Sequence, residues 1–201
     1  MSKPIASVAL MMLYEKGYFQ LNDPVARFFP EWRGQRVWVS GEGAAMVTEA
    51  AKRPVSMRDM LCHTGGLTYG NLLAALGAPD TGHPVDKVYG ELRIRRDRDE
   101  TLEQFMGKLA KVPLMYQPGE RWMYSFGSDV LGALCERISG KPFDQYLQDE
   151  IFGPLQMKDS GFWVPAEKVS RFTANYQRGA DKKLRLGDDP ETSAYLKKPA
   201  F

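Results

Sequence analysis

Three short segments of this 201-residue chain carry residues able to move protons. They are Ser2-Lys3-Pro4 at the head of an apolar stretch, Leu61-Cys62-His63-Thr64-Gly65-Gly66-Leu67, and Pro118-Gly119-Glu120-Arg121-Trp122-Met123-Tyr124-Ser125. A serine hydroxyl is a poor nucleophile until a neighbouring base takes its proton. On a helix, that base belongs three or four residues away, where side chains share a face. Ser2 is adjacent to Lys3, so their side chains diverge around the helix. Ser7 lies on roughly the face of Lys3 but a turn deeper into the packed element. Neither is placed to be activated by Lys3. Taken singly, a lysine near a terminus is most often solvated, and a tyrosine beside a tryptophan is most often a core aromatic. Metal chemistry is not expected either: there are two histidines, His63 and His83, two cysteines, Cys62 and Cys135, and no Cys-x-x-Cys pair. Both cysteines sit in apolar stretches and read as buried free thiols.

The elements that must position these residues follow from spacing and caps. Ile5, Val8, Ala9, Met12 and Leu13 recur with helical period, and Gly17 follows as the residue after the cap. Pro4 is tolerated only in a first turn, so this helix starts within about one turn of Met1. No capping residue is visible there, and the chain is expected to begin inside a structural element. Asp23-Pro24 reads as a helix entry that Pro30 ends. Val37-Trp38-Val39 reads as a short strand. Ser56-Met57-Arg58-Asp59 and Thr101-Leu102-Glu103-Gln104 read as capping boxes. Residues 71–100 read as a long, partly charged excursion, in which the run Arg93 to Arg98 is a solvated face. Gln117-Pro118-Gly119-Glu120 has the residues of a turn. Val130, Leu131, Leu134, Cys135 and Ile138 mark an amphipathic helix closed by Gly140. Pro142 opens another that carries Phe143, Tyr146, Leu147 and Ile151 and ends at Pro154. Asp129 is expected at a helix N-terminus, where an acid is stabilised by the helix dipole. A last strand is expected around Phe172 to Gln177.

Four of these segments resemble the signatures of the serine β-lactamase-related family, the class C β-lactamases and the family VIII-type carboxylesterases. Met1-Ser2-Lys3-Pro4 resembles the tail of its Ser-Met-Ser-Lys-Pro form of the Ser-x-x-Lys motif. Leu61 to Leu67 resembles its Leu-x-His-Thr-Ser-Gly-Leu turn, and Pro118 to Ser125 its Pro-Gly-x-x-Trp-x-Tyr-Ser segment. Phe152-Gly153-Pro154-Leu155-Gln156-Met157 resembles its Phe-x-Pro-Leu-Gly-Met segment. The four occur in the family's order over most of the chain. The resemblance implies catalytic roles for Lys3 as the motif lysine and Tyr124 as the base. A cation beside a phenol favours its ionised form, and backbone amides receive the oxyanion of the acyl-transfer transition state. The motif serine would stand one position before Met1. The family's later Lys-Thr-Gly, His-x-Gly or Trp-Gly-Gly strand has no match after Tyr124. The chain is therefore expected to be cut at both ends and, as given, to be inactive. Members that cleave cephalosporins carry Asn two residues after the tyrosine; here it is Phe126, which lacks an amide to offer. His63 is implied to be structural.

The expected fold class is α+β, of the β-lactamase and penicillin-binding-protein type. Residues 1–201 would form one incomplete domain, mainly its helical part with few strands of the antiparallel sheet. The expected function is serine hydrolysis of a small-molecule ester or amide, most simply by an esterase working through an acyl-enzyme. A non-catalytic scaffold, or a β-lactamase or D-alanyl-peptidase, are the alternatives. No cofactor or metal is expected. The net charge of +2 and pI near 8.4 give no excess that calls for nucleic acid. No apolar run reaches membrane-span length. The compartment stays open, with the cytoplasm favoured, as does the oligomeric state.

Overall fold

The computed structural model describes residues 2–75, 81–95, 97–179 and 181–200. Met1, residues 76–80 of the charged excursion, Arg96, Ala180 and Phe201 lie outside the described residues. The organising element is helix α6, Gly127–Ser139. Its Val130, Leu131, Ala133, Leu134 and Cys135 are all buried. Four helices pack on it: α1 (Ser2–Glu15), α2 (Met57–Cys62), α5 (Leu102–Leu109) and α7 (Phe143–Leu147). Two short helices, α3 (Leu72–Ala75) and α4 (Pro84–Glu91), lie between α2 and α5 in the chain. Gly140 closes α6 in the left-handed conformation, φ 71°, which costs glycine least.

Helix α1 buries Ala6, Ala9, Leu10 and Leu13. Val8, counted in the apolar face by spacing, is instead exposed. The spacings 5-8-9-12 and 6-9-10-13 both fit a helical stripe, and packing against α6 selects the second. Small residues at 6 and 9 let neighbours approach the helix backbone closely, and the Tyr146 hydroxyl donates to the Ala9 carbonyl oxygen at 3.3 Å.

Both capping boxes form. The Ser56 hydroxyl accepts from the Asp59 amide and the Asp59 carboxylate from the Ser56 amide; Thr101 and Gln104 do the same at α5. Asp23-Pro24, in contrast, opens only a single 3-10 turn, Val25–Arg27. The Val25 amide is spent on the Val55 carbonyl, and the Asp23 carboxylate on the Gln20 amide and the Arg27 guanidinium. Helix α7 runs on into a π-helical turn, Gln148–Phe152, before Pro154.

Strand content is small. Strand β1 (Arg36–Ser40) pairs antiparallel with β2 (Val47–Ala50), Val37 opposite Glu49, and β3 (Asn175–Arg178) pairs with β4 (Leu184–Asp188). The two sheets are separate. The partners β2 and β4 gave no sequence signal because their residues are mostly exposed. The excursion at 71–100 contains α4, which buries Val85, Asp86 and Tyr89. Arg98 is not simply solvated: its guanidinium donates to the Phe162 carbonyl at 3.3 Å and lies 4.8 Å from the Tyr195 ring centroid, clamping the C-terminal segment. Cys135 is buried, but Cys62 is exposed at the last turn of α2, where its neighbours Met57 and Met60 take the inward positions. No helix among the described residues is long and apolar enough to cross a membrane. The architecture is α+β and mostly helical.

Candidate functional site

The site begins with the cap of α2. Asp59 is buried, yet holds a bidentate ion pair with Arg53 and accepts from the Thr64 hydroxyl at 3.0 Å. Burial alone would raise its carboxyl; Arg53 and the Ser56 donors outweigh this and hold it below the ordinary range. That knot fixes the turn that follows. His63 ends α2 in the left-handed conformation, φ 56°, and Gly66 follows at φ 80°, where a Cβ would meet the Tyr116 carbonyl oxygen.

The Pro118–Ser125 segment is laced to this turn. The Gly119 amide donates to the Thr64 carbonyl at 2.8 Å, the Met123 amide to the His63 carbonyl at 2.8 Å, and the Phe126 amide to the Thr68 carbonyl at 3.4 Å. Two of the sequence-identified segments thus lie side by side, which sets the Tyr124 ring 5.2 Å from the His63 ring. Tyr124 is 36% exposed and stacks at 6.2 Å with Trp122, itself 65% exposed. The His63 Nδ1 lies 3.2 Å from the Ser125 hydroxyl, which also accepts from the Gly127 amide.

The third segment arrives through packing. Because α1 lies on α6, its first turn reaches the same place, and the Lys3 ammonium sits 4.4 Å from the Tyr124 ring centroid. The two residues singled out in the sequence are therefore brought together. A third residue was missed: the Tyr69 ring lies 5.8 Å from the same ammonium and 5.3 Å from the Tyr124 ring. Its only sequence signal was its place two residues past Leu67, at the end of the resembling turn.

The electrostatics are those of a cation held among phenols. Burial acts to lower the Lys3 amine, but hydrogen-bonding and charge interactions with Tyr124 and Tyr69 outweigh it and raise the amine above its ordinary value of 10.5. Lys3 is an ammonium at neutral pH. Burial, then the Lys3 charge, lower His63, so its imidazole is neutral there. Burial, then Asp129 in the first turn of α6, raise the Tyr69 phenol.

Phe126 does not face this site. It is buried, edge-on to Tyr69 at 4.6 Å and to Phe105 at 5.3 Å. Among the described residues, no group of three or more His, Cys, Asp and Glu stands close enough to hold a metal. A cleft of about 530 Å³ lies elsewhere, between Asp144, Phe152, Trp163, Arg171 and Lys198. Lys198 pairs there with Asp144 and Arg171 with Asp159, and neither Lys3 nor Tyr124 lines it.

Comparison with known proteins places the chain among relatives of one family. The Beta-lactamase family model matches residues 1–199. Protein Rv1367c of Mycobacterium tuberculosis is 32% identical over 201 residues, covering 100% of this chain and 47% of its own length. Esterase EstB of Burkholderia gladioli is 33% identical over 193 residues, 94% of this chain and 43% of its own. The solved structure of simvastatin synthase, LovD, from Aspergillus terreus is similar at a TM-score of 0.72 and 26% identity, over 93% of this chain and 44% of that one. The chain thus spans less than half the length of these relatives. With the match to the family running over nearly all of its residues, the chain belongs to the β-lactamase family.

Proposed function

We propose that the protein carrying this chain is a serine hydrolase that acts on a small-molecule ester through an acyl-enzyme, with Lys3 and Tyr124 as its proton-handling residues. The observation that carries the reading is the 4.4 Å approach of the Lys3 ammonium to the Tyr124 ring, from opposite parts of the chain. In this scheme a serine one turn before Lys3 attacks the acyl carbonyl. Its proton passes to Tyr124, beside the fixed ammonium, and on to the departing alkoxide; water then repeats the sequence on the acyl-enzyme. The similarity to an esterase and to simvastatin synthase supports acyl chemistry at an ester. Phe126 supports ester over β-lactam substrates, since it has no amide and is turned into the core.

The 201 residues by themselves are inactive in this reading. No serine within them stands a turn before Lys3, and without the nucleophile covalent catalysis is lost whatever binding survives. The test is hydrolysis of a p-nitrophenyl ester by the whole protein and by residues 1–201 alone. The whole protein is expected to turn over, and Tyr124→Phe in it to lose about 100-fold or more. Turnover by the 201 residues well above their own Tyr124→Phe control would refute their inactivity. An unimpaired Tyr124→Phe whole protein would refute the role of the phenol.

A further inference from the structure

Two phenols, not one, meet the Lys3 ammonium. Tyr124 belongs to the segment that the sequence singles out; Tyr69 does not, yet its surroundings fix it as firmly. The Thr68 amide donates to the buried Tyr89 hydroxyl at 3.1 Å, and the Gly70 amide to the Thr68 hydroxyl at 2.6 Å. Gly70 has φ 57°, and a Cβ there would strike the Tyr89 side chain. The backbone on both sides of Tyr69 is thereby pinned to α4. Its ring is wedged edge-on against buried Phe126 at 4.6 Å and tilted against Tyr124 at 5.3 Å. An aromatic held from both sides loses little entropy in keeping its hydroxyl in one place.

We propose that Tyr69 is a positioning residue: its phenol keeps the Lys3 ammonium charged and oriented beside Tyr124. An ammonium has three N–H donors on a flexible stem, and with Tyr124 as its only neighbour it could swing away or deprotonate. A second phenol at 5.8 Å restrains it. The electrostatics agree, for the combined hydrogen-bonding and charge interactions with the two tyrosines are what offset the burial of Lys3. The same packing gives Phe126 a purpose: it fills the space behind Tyr69 and transmits the rigidity of the core to the site. As to the reaction, this inference rests on the acyl-transfer reading above; as to the state of Lys3, it stands alone.

The experiment is done on the whole protein with lysine labelled by ¹³C at the ε carbon, Lys3 being assigned by the signal lost in Lys3→Arg. Alkaline titration by NMR compares the parent with Tyr69→Phe, which keeps the ring and removes the hydroxyl. The Lys3 midpoint is expected to fall by about 0.5 to 1 pH unit, as for loss of a hydrogen bond to the charged form. In parallel, the alkaline limb of kcat/KM for a p-nitrophenyl ester is expected to move down with it, with kcat falling about 3- to 30-fold and KM little changed. A Lys3 midpoint that is unmoved or raised in Tyr69→Phe overturns the proposal. If the midpoint falls but the parent has no esterase activity, the acyl-transfer reading fails and the role of Tyr69 at Lys3 stands. Should the midpoint fall while Tyr69→Phe leaves the pH profile unchanged in a parent that Tyr124→Phe inactivates, Tyr69 holds the lysine without serving the reaction, and the positioning role is overturned.

Discussion

Gly107 and Gly127 both lie in helices, and the same substitution at the two is expected to act with opposite sign. Alanine is favoured over glycine in a helix by about 0.5–1 kcal/mol, because glycine loses more backbone freedom on folding. At Gly107, in α5, a Cβ meets nothing within 4 Å. Gly107→Ala should therefore stabilise the protein by about 0.5–1 kcal/mol. At Gly127, the first residue of α6, a Cβ would lie 2.9 Å from the Met60 carbonyl oxygen and 3.2 Å from His63 Nδ1. The first atom is backbone and cannot swing aside, so α6 must shift away from α2. Overpacking of this kind costs about 1–3 kcal/mol, which outweighs the propensity gain. Gly127→Ala should therefore be destabilised by about 0.5–2 kcal/mol net. Urea denaturation at constant m value reads both changes as shifts of the midpoint. A Gly127→Ala protein as stable as Gly107→Ala would refute the close packing of α2 against α6 on which the position of Tyr124 depends.

Three further outcomes are expected. Arg53→Ala leaves the buried Asp59 carboxylate without its cation; breaking a fully buried pair costs about 3–5 kcal/mol, but Arg53 is 45% exposed, so screening reduces this to about 1–2 kcal/mol in urea denaturation. Because the folded-state pKa of Asp59 is depressed, its contribution is present above the ordinary value of 3.8 and lost as pH falls through the folded value; Arg53→Ala should begin acid unfolding at a higher pH than the parent. The folded-state pKa of His63 is also lowered, so the unfolded chain takes the proton first and stability falls as pH drops below the ordinary 6.5. His83 is lowered in the same sense, and His63→Gln should therefore remove part, not all, of the difference in urea midpoint between about pH 7.5 and about pH 5.5. Leu10→Ala, at a fully buried position of α1, should cost about 2–5 kcal/mol by the same assay; a loss under 1 kcal/mol would mean that α1 is not packed on α6.

Local signals in the chain were enough to find most elements. Ser56 with Asp59 and Thr101 with Gln104 cap their helices reciprocally, and such caps depend only on residues three apart. Gly17 and Gly140 end helices because the left-handed conformation needs no partner. Where the competing partner was distant, local reading failed. Asp23-Pro24 has the residues of a helix start, but the Val25 amide and the Asp23 carbonyl are taken by Val55 and Met57. Val8 fitted the apolar stripe of α1 as well as Ala6 did, and only the helix across from it decided between them. Cys62 stands in an apolar stretch, yet points outward because Met57 and Met60 are turned in.

The site divides the same way. The order and types of residues around Lys3, His63 and Tyr124 identified the family, because those motifs are contiguous strings. Neither the 4.4 Å meeting of Lys3 with Tyr124 nor the presence of Tyr69 beside them could be read from spacing. They follow from α1 lying on α6 and from the Pro118–Ser125 segment hydrogen-bonding along the His63–Thr68 turn. Contacts between residues far apart in a chain are set by how whole elements pack. The sequence determined which groups could do chemistry and the caps and turns that present them; the tertiary structure alone decided that an amine and two phenols share one place.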